Sequence, residues 1–138
     1  MFPKIWGLIG FNIQINHSHI NVDLPDPKEL AFGWHRDGAM ASWDLAGPIP
    51  LLGLKVGFYL TDVQAQDAGN TFLIPGSQRT PARPLPKHGT STDDAIAVTG
   101  PPGTVLIMDP RILHCRGPNH SAAMRKVPSW MASGRTSA

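Results

Sequence analysis

Residues 54–76 read LKVGFYLTDVQAQDAGNTFLIPG, an apolar run, a polar turn and a second apolar run that Pro75 and Gly76 stop. The two runs, Leu54 to Thr61 and Asn70 to Ile74, are short and rich in apolar, aromatic and β-branched residues, which is typical of β-strands. Such strands, separated by turns of a few residues, are typical of a sandwich or barrel.

The same pattern continues on both sides of this stretch. Residues 13–22 alternate apolar and polar side chains for much of their length, which predicts a half-buried strand. Short strands are also predicted at 95–99 and 104–108, with a sharp turn at 100–103 between them. The 14 Gly and 14 Pro recur along the chain and leave little room for long helices, so no helix is predicted. The 138 residues are therefore expected to form a single, mainly all-β domain.

Composition narrows the function classes. A formal net charge of +2 is too small to indicate a nucleic-acid or membrane partner, and no segment is long and apolar enough to span a bilayer. Cys115 is the single cysteine, which excludes an intrachain disulfide and favours a reducing, cytoplasmic setting. Oligomeric state is left open by the sequence.

A possible metal site begins at His35-Arg36-Asp37. On an extended backbone, residues i and i+2 point to the same face, so this imidazole and this carboxylate can reach one ion. A second histidine from another strand would complete the facial triad that non-haem Fe(II) oxygenases use. His114 follows an apolar strand and a proline, where the mouth of a barrel would place such a ligand. The pair alone is weak evidence, because a polar pair at a surface turn gives the same letters.

Arg125 follows His114 by eleven positions. Its planar guanidinium can bind a carboxylate through two parallel hydrogen bonds, which suits a dicarboxylic co-substrate. A solvated surface charge is the plain alternative for a lone arginine.

Several segments, taken in order, resemble the phytanoyl-CoA dioxygenase family of 2-oxoglutarate-dependent oxygenases. No single segment is specific, but the ordered set covers most of residues 8–126. The segments that carry the resemblance are Asn12-Ile13-Gln14 with His17-Ser18, Trp34-His35-Arg36-Asp37-Gly38, Lys55 to Asp62, Gly69 to Ser77, and Leu113 to Asn119, with Arg125 after them.

The resemblance implies a double-stranded β-helix, or jelly roll, that uses Fe(II), 2-oxoglutarate and O₂ on a small-molecule substrate. It implies that His35, Asp37 and His114 bind the iron and that Arg125 pairs with the far carboxylate of 2-oxoglutarate. It also implies that His19, Phe58 and Arg116 line the co-substrate pocket. Substrate identity is not readable, because it depends on the long loops at 38–53 and 78–94.

Two features depart from the family pattern. Members usually carry an additional N-terminal region with helices and early strands, which this chain is expected to lack. After about residue 126 the C-terminal sequence is atypical, because Pro128 falls inside the expected last strand, where a proline suits only an edge. Both features suggest a shortened member or a fragment.

Two other functions stay open. His17, His19 and Asp23 resemble part of a cupin metal motif, which would give a related jelly roll acting without 2-oxoglutarate. Against it, the acid is Asp rather than Glu, and no histidine follows Gly76 at the expected distance. A catalytically inactive jelly roll that binds a ligand without turnover is the other alternative.

Overall fold

A computed structural model describes residues 1–37 and 51–134 of the chain. The described residues form two antiparallel sheets whose strands together wall one cavity, which confirms the all-β jelly-roll prediction. The four-stranded sheet has the order β1-β7-β2-β5, with β1 at Ile13–Asp23, β2 at Gly53–Phe58, β5 at Val105–Met108 and β7 at Arg125–Gly134. The three-stranded sheet has the order β4-β3-β6, with β4 at Ile96–Ala97, β3 at Thr71–Leu73 and β6 at His114–Arg116.

Strand β2 shows how the sheet separates core from cavity. Leu54 and Val56 are buried on the outer face, where they pack with Ile5. Lys55 and Gly57 face the cavity, and Tyr59 continues that inner row just past the strand. This two-residue period follows from the pleat of an extended backbone.

Helix α1, Phe2–Ile9, covers the outer face of β2 and corrects the expectation that the chain contains no helix. Eight residues make about two turns, which is too short for a helical period to stand out in the sequence and marginal for an isolated helix. Its stability comes from packing, because Ile5 is fully buried against the β2 cluster. Among the described residues, no helix is long and apolar enough to cross a membrane.

Strand β1 is long, and within the described part of the chain it pairs with β7 alone. Its register with β7 shifts between Ile15 and His17, which marks a bulge at Asn16. A bulge re-aims the side chains that follow it. Beyond this point the odd-numbered residues His19, Asn21 and Asp23 face the cavity.

Strand β7 contradicts the expectation that Pro128 must lie at a sheet edge, because β7 is an interior strand that runs through it to Gly134. Pro128 is paired with Ile20 of β1. The ladder between β2 and β7 ends at the pair Gly57–Ser129, just before the proline. The missing N–H therefore falls where the ladder to β2 has already stopped.

The loop predicted at 78–94 is present, whereas most of the loop predicted at 38–53 lies outside the described residues. A short 3₁₀ turn, Ser77–Arg79, opens the 78–94 loop, and Arg83 forms an ion pair with Asp94 at 2.7 Å. The Arg36 guanidinium donates hydrogen bonds to the carbonyls of Ser77, Thr80 and Arg83. These bonds fasten the start of the loop to the segment that carries His35 and Asp37.

Candidate functional site

His35, Asp37 and His114 lie together at the cavity. One ligand atom from each residue lies within 4.8 Å of the others, and among residues 1–37 and 51–134 this is the one such group of three. Asp37 Oδ1 is 3.5 Å from His35 Nε2, and Asp37 Oδ2 is 3.2 Å from His114 Nε2. The structure thus brings together the three residues that the sequence singled out.

Backbone pairing places the two histidines. His35 and His114 exchange both of their N–H···O=C bonds at 3.0 Å in an antiparallel bridge, which sets their rings 4.3 Å apart. Directly opposed residues of an antiparallel pair project to the same face. Asp37, two positions after His35, donates its N–H to the carbonyl of Pro110 at 2.8 Å. The bridge and the extended segment together aim all three side chains at one point.

Ser77 fixes the segment that leads into His114. Its buried hydroxyl donates to the carbonyl of Ile74 at 2.7 Å and accepts from the N–H of Leu113 at 2.8 Å. Ile74 in turn donates its N–H to the carbonyl of Leu113 at 2.9 Å. The Ile-Pro-Gly-Ser run that contributed to the family resemblance therefore supports the distal histidine.

Each imidazole is oriented by its own backbone. Nδ1 of His35 lies 2.8 Å from the carbonyl of Gly33, and Nδ1 of His114 lies 2.8 Å from the carbonyl of Ile112. A neutral imidazole that donates from Nδ1 presents the lone pair of Nε2, which is the form that binds metals. Burial lowers the pKa of His35, which favours this neutral form at pH 7.

Lys55 completes the group with a positive charge. Its Nζ lies 2.5 Å from Asp37 Oδ2 and 3.3 Å from His114 Nε2. Burial alone would raise the pKa of Asp37, but hydrogen bonds to His114 and Lys55 outweigh burial and hold that pKa far below its usual range. The site therefore keeps an ionised carboxylate between two imidazoles. The sequence analysis did not identify Lys55 as a site residue. The alternation of inner and outer side chains along β2 was the signal that could have placed it at the cavity.

The second half of the cavity is built around Arg125. The cavity has a volume of about 270 Å³ and is lined by both the triad and Arg125. The arginine is 4% exposed, and its Nη2 donates to Thr71 Oγ1 at 3.1 Å. The Tyr59 hydroxyl donates to the same Thr71 oxygen at 2.7 Å, and the Tyr59 ring lies 5.5 Å from the guanidinium carbon. Arg125 Nε is buried and has no hydrogen-bond partner among residues 1–37 and 51–134.

An acidic residue already contacts Arg125. Asp23 Oδ2 accepts from Arg125 Nη1 at 2.6 Å, and Asp23 Oδ1 lies 3.1 Å from Nε of Arg116. Arg116 also binds the Glu29 carboxylate through both of its terminal nitrogens. Arg116 lies at the cavity wall, but its donors are taken by acidic residues of the chain, and its co-substrate role stays a prediction.

Phe58 and His19 have different outcomes. Phe58 packs on the outer face of the sheet with Leu54 and Val56 and is not among the residues that line the cavity. Phe58 was expected to line the co-substrate pocket, but the next residue, Tyr59, faces the cavity in its place. His19 does line the cavity, and its Nε2 lies 2.9 Å from the hydroxyl of Ser129.

The structure does not assemble the cupin-like set. Of its three members, Asp23 is bound to two arginines and His19 contacts Ser129. The ring of His17 lies tilted beside that of His19 on an exposed stretch of β1. Cys115 is buried next to His114, and burial raises the pKa of its thiol to about 12, so the unreactive thiol form prevails. The cytoplasmic setting predicted from this single cysteine stays a prediction.

Three solved structures of similar fold are each longer than this chain. EctD from S. alaskensis with bound Fe is 24% identical with a TM-score of 0.68, and the match covers 94% of this chain and 48% of that one. HygX from Streptomyces hygroscopicus with nickel and 2-oxoglutarate bound is 13% identical with a TM-score of 0.71, covering 96% of this chain and 62% of that one. The non-haem monooxygenase ThoJ in its nickel complex is 17% identical with a TM-score of 0.73, covering 96% and 49%.

At these identities the likeness shows the fold, and this chain spans between about half and three-fifths of those three proteins. No curated protein matches the sequence. The sequence model of the phytanoyl-CoA dioxygenase family matches residues 4–127, which is most of the chain and includes all four residues of the predicted iron and co-substrate site. The chain therefore belongs to the phytanoyl-CoA dioxygenase (PhyH) family.

Proposed function

We propose that this chain carries the active site of an Fe(II)- and 2-oxoglutarate-dependent dioxygenase that hydroxylates a C–H bond of a small molecule. The observation that carries the proposal is the grouping of His35, Asp37 and His114 at a cavity that also contains Arg125. Two imidazoles and one carboxylate form the donor set that non-haem Fe(II) oxygenases use, with positions left open for other ligands. The solved relatives with iron, nickel or 2-oxoglutarate bound support the same assignment.

The side chains around the cavity are suited to hold Fe(II) and 2-oxoglutarate. Both Nδ1 atoms are engaged by backbone carbonyls, so the Nε2 atoms are the ring nitrogens that would bind the ion. Asp37 is held ionised, which a metal carboxylate ligand requires. At Arg125, a buried Nε without a partner indicates where an added carboxylate would gain a charge-assisted hydrogen bond.

The iron, when bound, supplies the activation of O₂ that accompanies oxidative decarboxylation of 2-oxoglutarate to succinate and CO₂. The chain's own part is orientation and exclusion of water. Arg125 holds the far carboxylate of 2-oxoglutarate, and the Tyr59–Thr71 hydrogen bond keeps the guanidinium in place. Leu106, Met108 and Val127 supply apolar wall around the reacting groups.

Substrate approach is assigned to the exposed side of His35. Its side chain is 49% exposed, whereas that of His114 is 4% exposed. A second cavity of about 390 Å³ shares His35 and Arg116 with the first and is walled by Phe32, Gly33 and His88 among others. A substrate lying there would face the triad from outside. Its identity stays unassigned.

Anaerobic addition of Fe(II) and then 2-oxoglutarate tests the assignment. A 2-oxo acid chelated to Fe(II) gives a visible charge-transfer absorption band, which we expect in the wild type and not in His35→Ala. His17→Ala is the matched control, because that imidazole lies outside the triad, and it should keep the band. A band lost in His17→Ala but kept in His35→Ala would contradict the assignment of the iron to the triad. Iron binding without any band would favour the cupin-like alternative or the inactive jelly roll.

A further inference from the structure

Lys55 occupies an unusual place for a lysine, because its ammonium contacts two atoms that would bind the metal. Nζ lies 2.5 Å from Asp37 Oδ2 and 3.3 Å from His114 Nε2, and those two atoms are 3.2 Å from each other. The side chain is 16% exposed, so this charge is largely removed from solvent. A divalent ion bound to Asp37 and His114 would have to occupy the position that the Lys55 ammonium now fills.

We propose that Lys55 is a displaceable counter-cation of the metal site. In the metal-free chain its ammonium neutralises Asp37, and a divalent ion that enters the triad displaces it. The displaced ammonium then pairs with a ligand carboxylate beside the ion. The inference rests on the proposed function, since it assumes that the triad binds a metal.

The charges of the cavity give the reason for both steps. A carboxylate as buried as Asp37 is costly without a partner, and Lys55 is the cation in contact with it. Once the ion takes over Asp37, Asp23 is the other acid on the wall of the same cavity within the described residues. Asp23 is already shared by Arg116 and Arg125. The freed ammonium therefore needs an anion that arrives with a ligand, and a metal-chelating 2-oxo acid brings one.

The position of Lys55 on β2 makes the movement feasible. Its backbone is fixed by pairing with Met108 of β5 on one side and Met131 of β7 on the other. Four flexible side-chain carbons separate this anchor from Nζ, so the ammonium can withdraw within the cavity without a change in the sheet. The ligand-bound position is therefore reached by rotation of side-chain bonds alone.

The first test measures metal affinity without turnover. Tag-free wild type and Lys55→Met are titrated with Ni(II) by calorimetry, because methionine keeps the length of the stem and removes the charge. We expect Lys55→Met to bind Ni(II) about tenfold more tightly or better, since the ion no longer has to displace a charged hydrogen-bond donor. Lys55→Arg keeps the charge and should remain within about threefold of wild type. Lys126→Met, a solvent-exposed lysine of β7, is the control and should behave as wild type.

The second test adds 2-oxoglutarate to the Ni(II)-loaded proteins. Lys55→Met should bind it about tenfold more weakly than wild type, because the carboxylate beside the ion loses its cationic partner. The same variant should melt at a lower temperature when free of metal, and Ni(II) should raise its melting temperature by more than that of wild type.

The outcomes separate this inference from the proposed function. Equal Ni(II) affinity in wild type and Lys55→Met would overturn the displacement, although the metal site would stand. Lys55→Arg binding as tightly as Lys55→Met would also overturn it, because charge would then not matter. Unchanged affinity for 2-oxoglutarate would overturn the pairing with a ligand carboxylate. If neither protein bound Ni(II), the proposed function itself would fail, and the inference with it.

Discussion

The cavity has a triad end, at His35, Asp37 and His114, and an arginine end, at Arg125. At both ends a charged side chain is paired with an oppositely charged residue of the chain, but the two pairs are arranged differently. Lys55 on β2 and Tyr59 just past the end of β2 mark the two ends, roughly 13 Å apart at the usual rise of a strand. At the triad end, the internal cation Lys55 contacts the same atoms that a metal would use. At the arginine end, the internal anion Asp23 contacts Nη1 of Arg125, while Nη2 binds Thr71 and no described residue bonds to Nε.

This difference indicates how each end would accept its ligand. The triad must exchange one cation for another, so binding there depends on moving a charge that is already present. The arginine end can add a carboxylate to a donor that is unused, while Asp23 keeps the guanidinium oriented. Both internal partners prevent an uncompensated buried charge in the ligand-free chain, which would be strongly destabilising.

The largest effect expected at the arginine end comes from Arg125→Met. With the charged fork removed, 2-oxoglutarate should bind to the Ni(II)-loaded chain about a hundredfold more weakly, because the far carboxylate loses charge-assisted hydrogen bonds. Ni(II) affinity in the absence of 2-oxoglutarate should stay within about twofold of wild type. Calorimetric titration with the metal and then with 2-oxoglutarate measures both quantities.

Arg83→Met provides the control for Arg125→Met, because Arg83 pairs with Asp94 at the surface and does not line the cavity. It should leave both affinities unchanged. If Arg125→Met bound 2-oxoglutarate as wild type does, the two ends of the cavity would not share one ligand, and the comparison would fail.

A smaller effect is expected from a methyl group placed behind Arg125. Gly69 has φ +73°, and a Cβ added there would lie 2.6 Å from Cδ of Arg125. Gly69→Ala should therefore shift the guanidinium and weaken 2-oxoglutarate binding by about tenfold, with Ni(II) affinity unchanged. Gly76 has φ +81° and no neighbouring atom within 4 Å of such a Cβ.

Gly76→Ala is thus a control with the same backbone strain and no contact with the site. Both variants should lose about 1 kcal/mol of unfolding free energy, because a left-handed backbone disfavours a Cβ. A selective loss of 2-oxoglutarate affinity in Gly69→Ala would assign the effect to Arg125. Equal losses of 2-oxoglutarate affinity in the two variants would instead indicate that reduced stability causes the loss.

The same two ends differ in how far the sequence predicts them. His35 and Asp37 lie two positions apart on an extended segment, and His114 follows a recognisable turn and strand. Strand geometry made this group a candidate, and the family resemblance assigned all three residues to the iron. Arg125 was found by its place in the family pattern. Its partners Asp23 and Thr71 come from β1 and β3, and their contact depends on long-range pairing that a single sequence does not reveal.

Two errors in the sequence predictions have defined physical causes. The choice of Phe58 over Tyr59 is a shift of one residue on a strand, which moves a side chain to the opposite face of the sheet. Helix α1 was missed because its eight residues are stabilised by tertiary packing of Ile5 on β2 rather than by a long periodic pattern. Lys55 was quoted as part of a strand, but its role depends on which atoms the register of β2 places opposite it.

The smallest effect concerns the outer support of the arginine end. Glu29 binds both terminal nitrogens of Arg116, and this hydrogen bonding lowers the pKa of the Glu29 carboxyl. A folded-state pKa below the unfolded value means that the pair stabilises the fold at pH values above the unfolded pKa. That contribution is lost as the pH falls through the folded-state pKa. Because both side chains are partly exposed, solvent screening limits it to about 1 kcal/mol or less.

Glu29→Gln should therefore lower the unfolding free energy slightly at pH 7, and the difference from wild type should shrink as the pH falls through the folded-state pKa of Glu29. Urea unfolding at pH 7 and at successively lower pH values measures the difference. Asp94→Asn, which removes the surface pair with Arg83, is the control and should have a smaller effect at pH 7. Arg116 keeps Asp23 as a partner in Glu29→Gln, so affinity for 2-oxoglutarate should change by less than about twofold. A larger change would mean that the orientation of Arg125 depends on the whole chain of ion pairs from Glu29 through Arg116 and Asp23, and not on Asp23 and Thr71 alone.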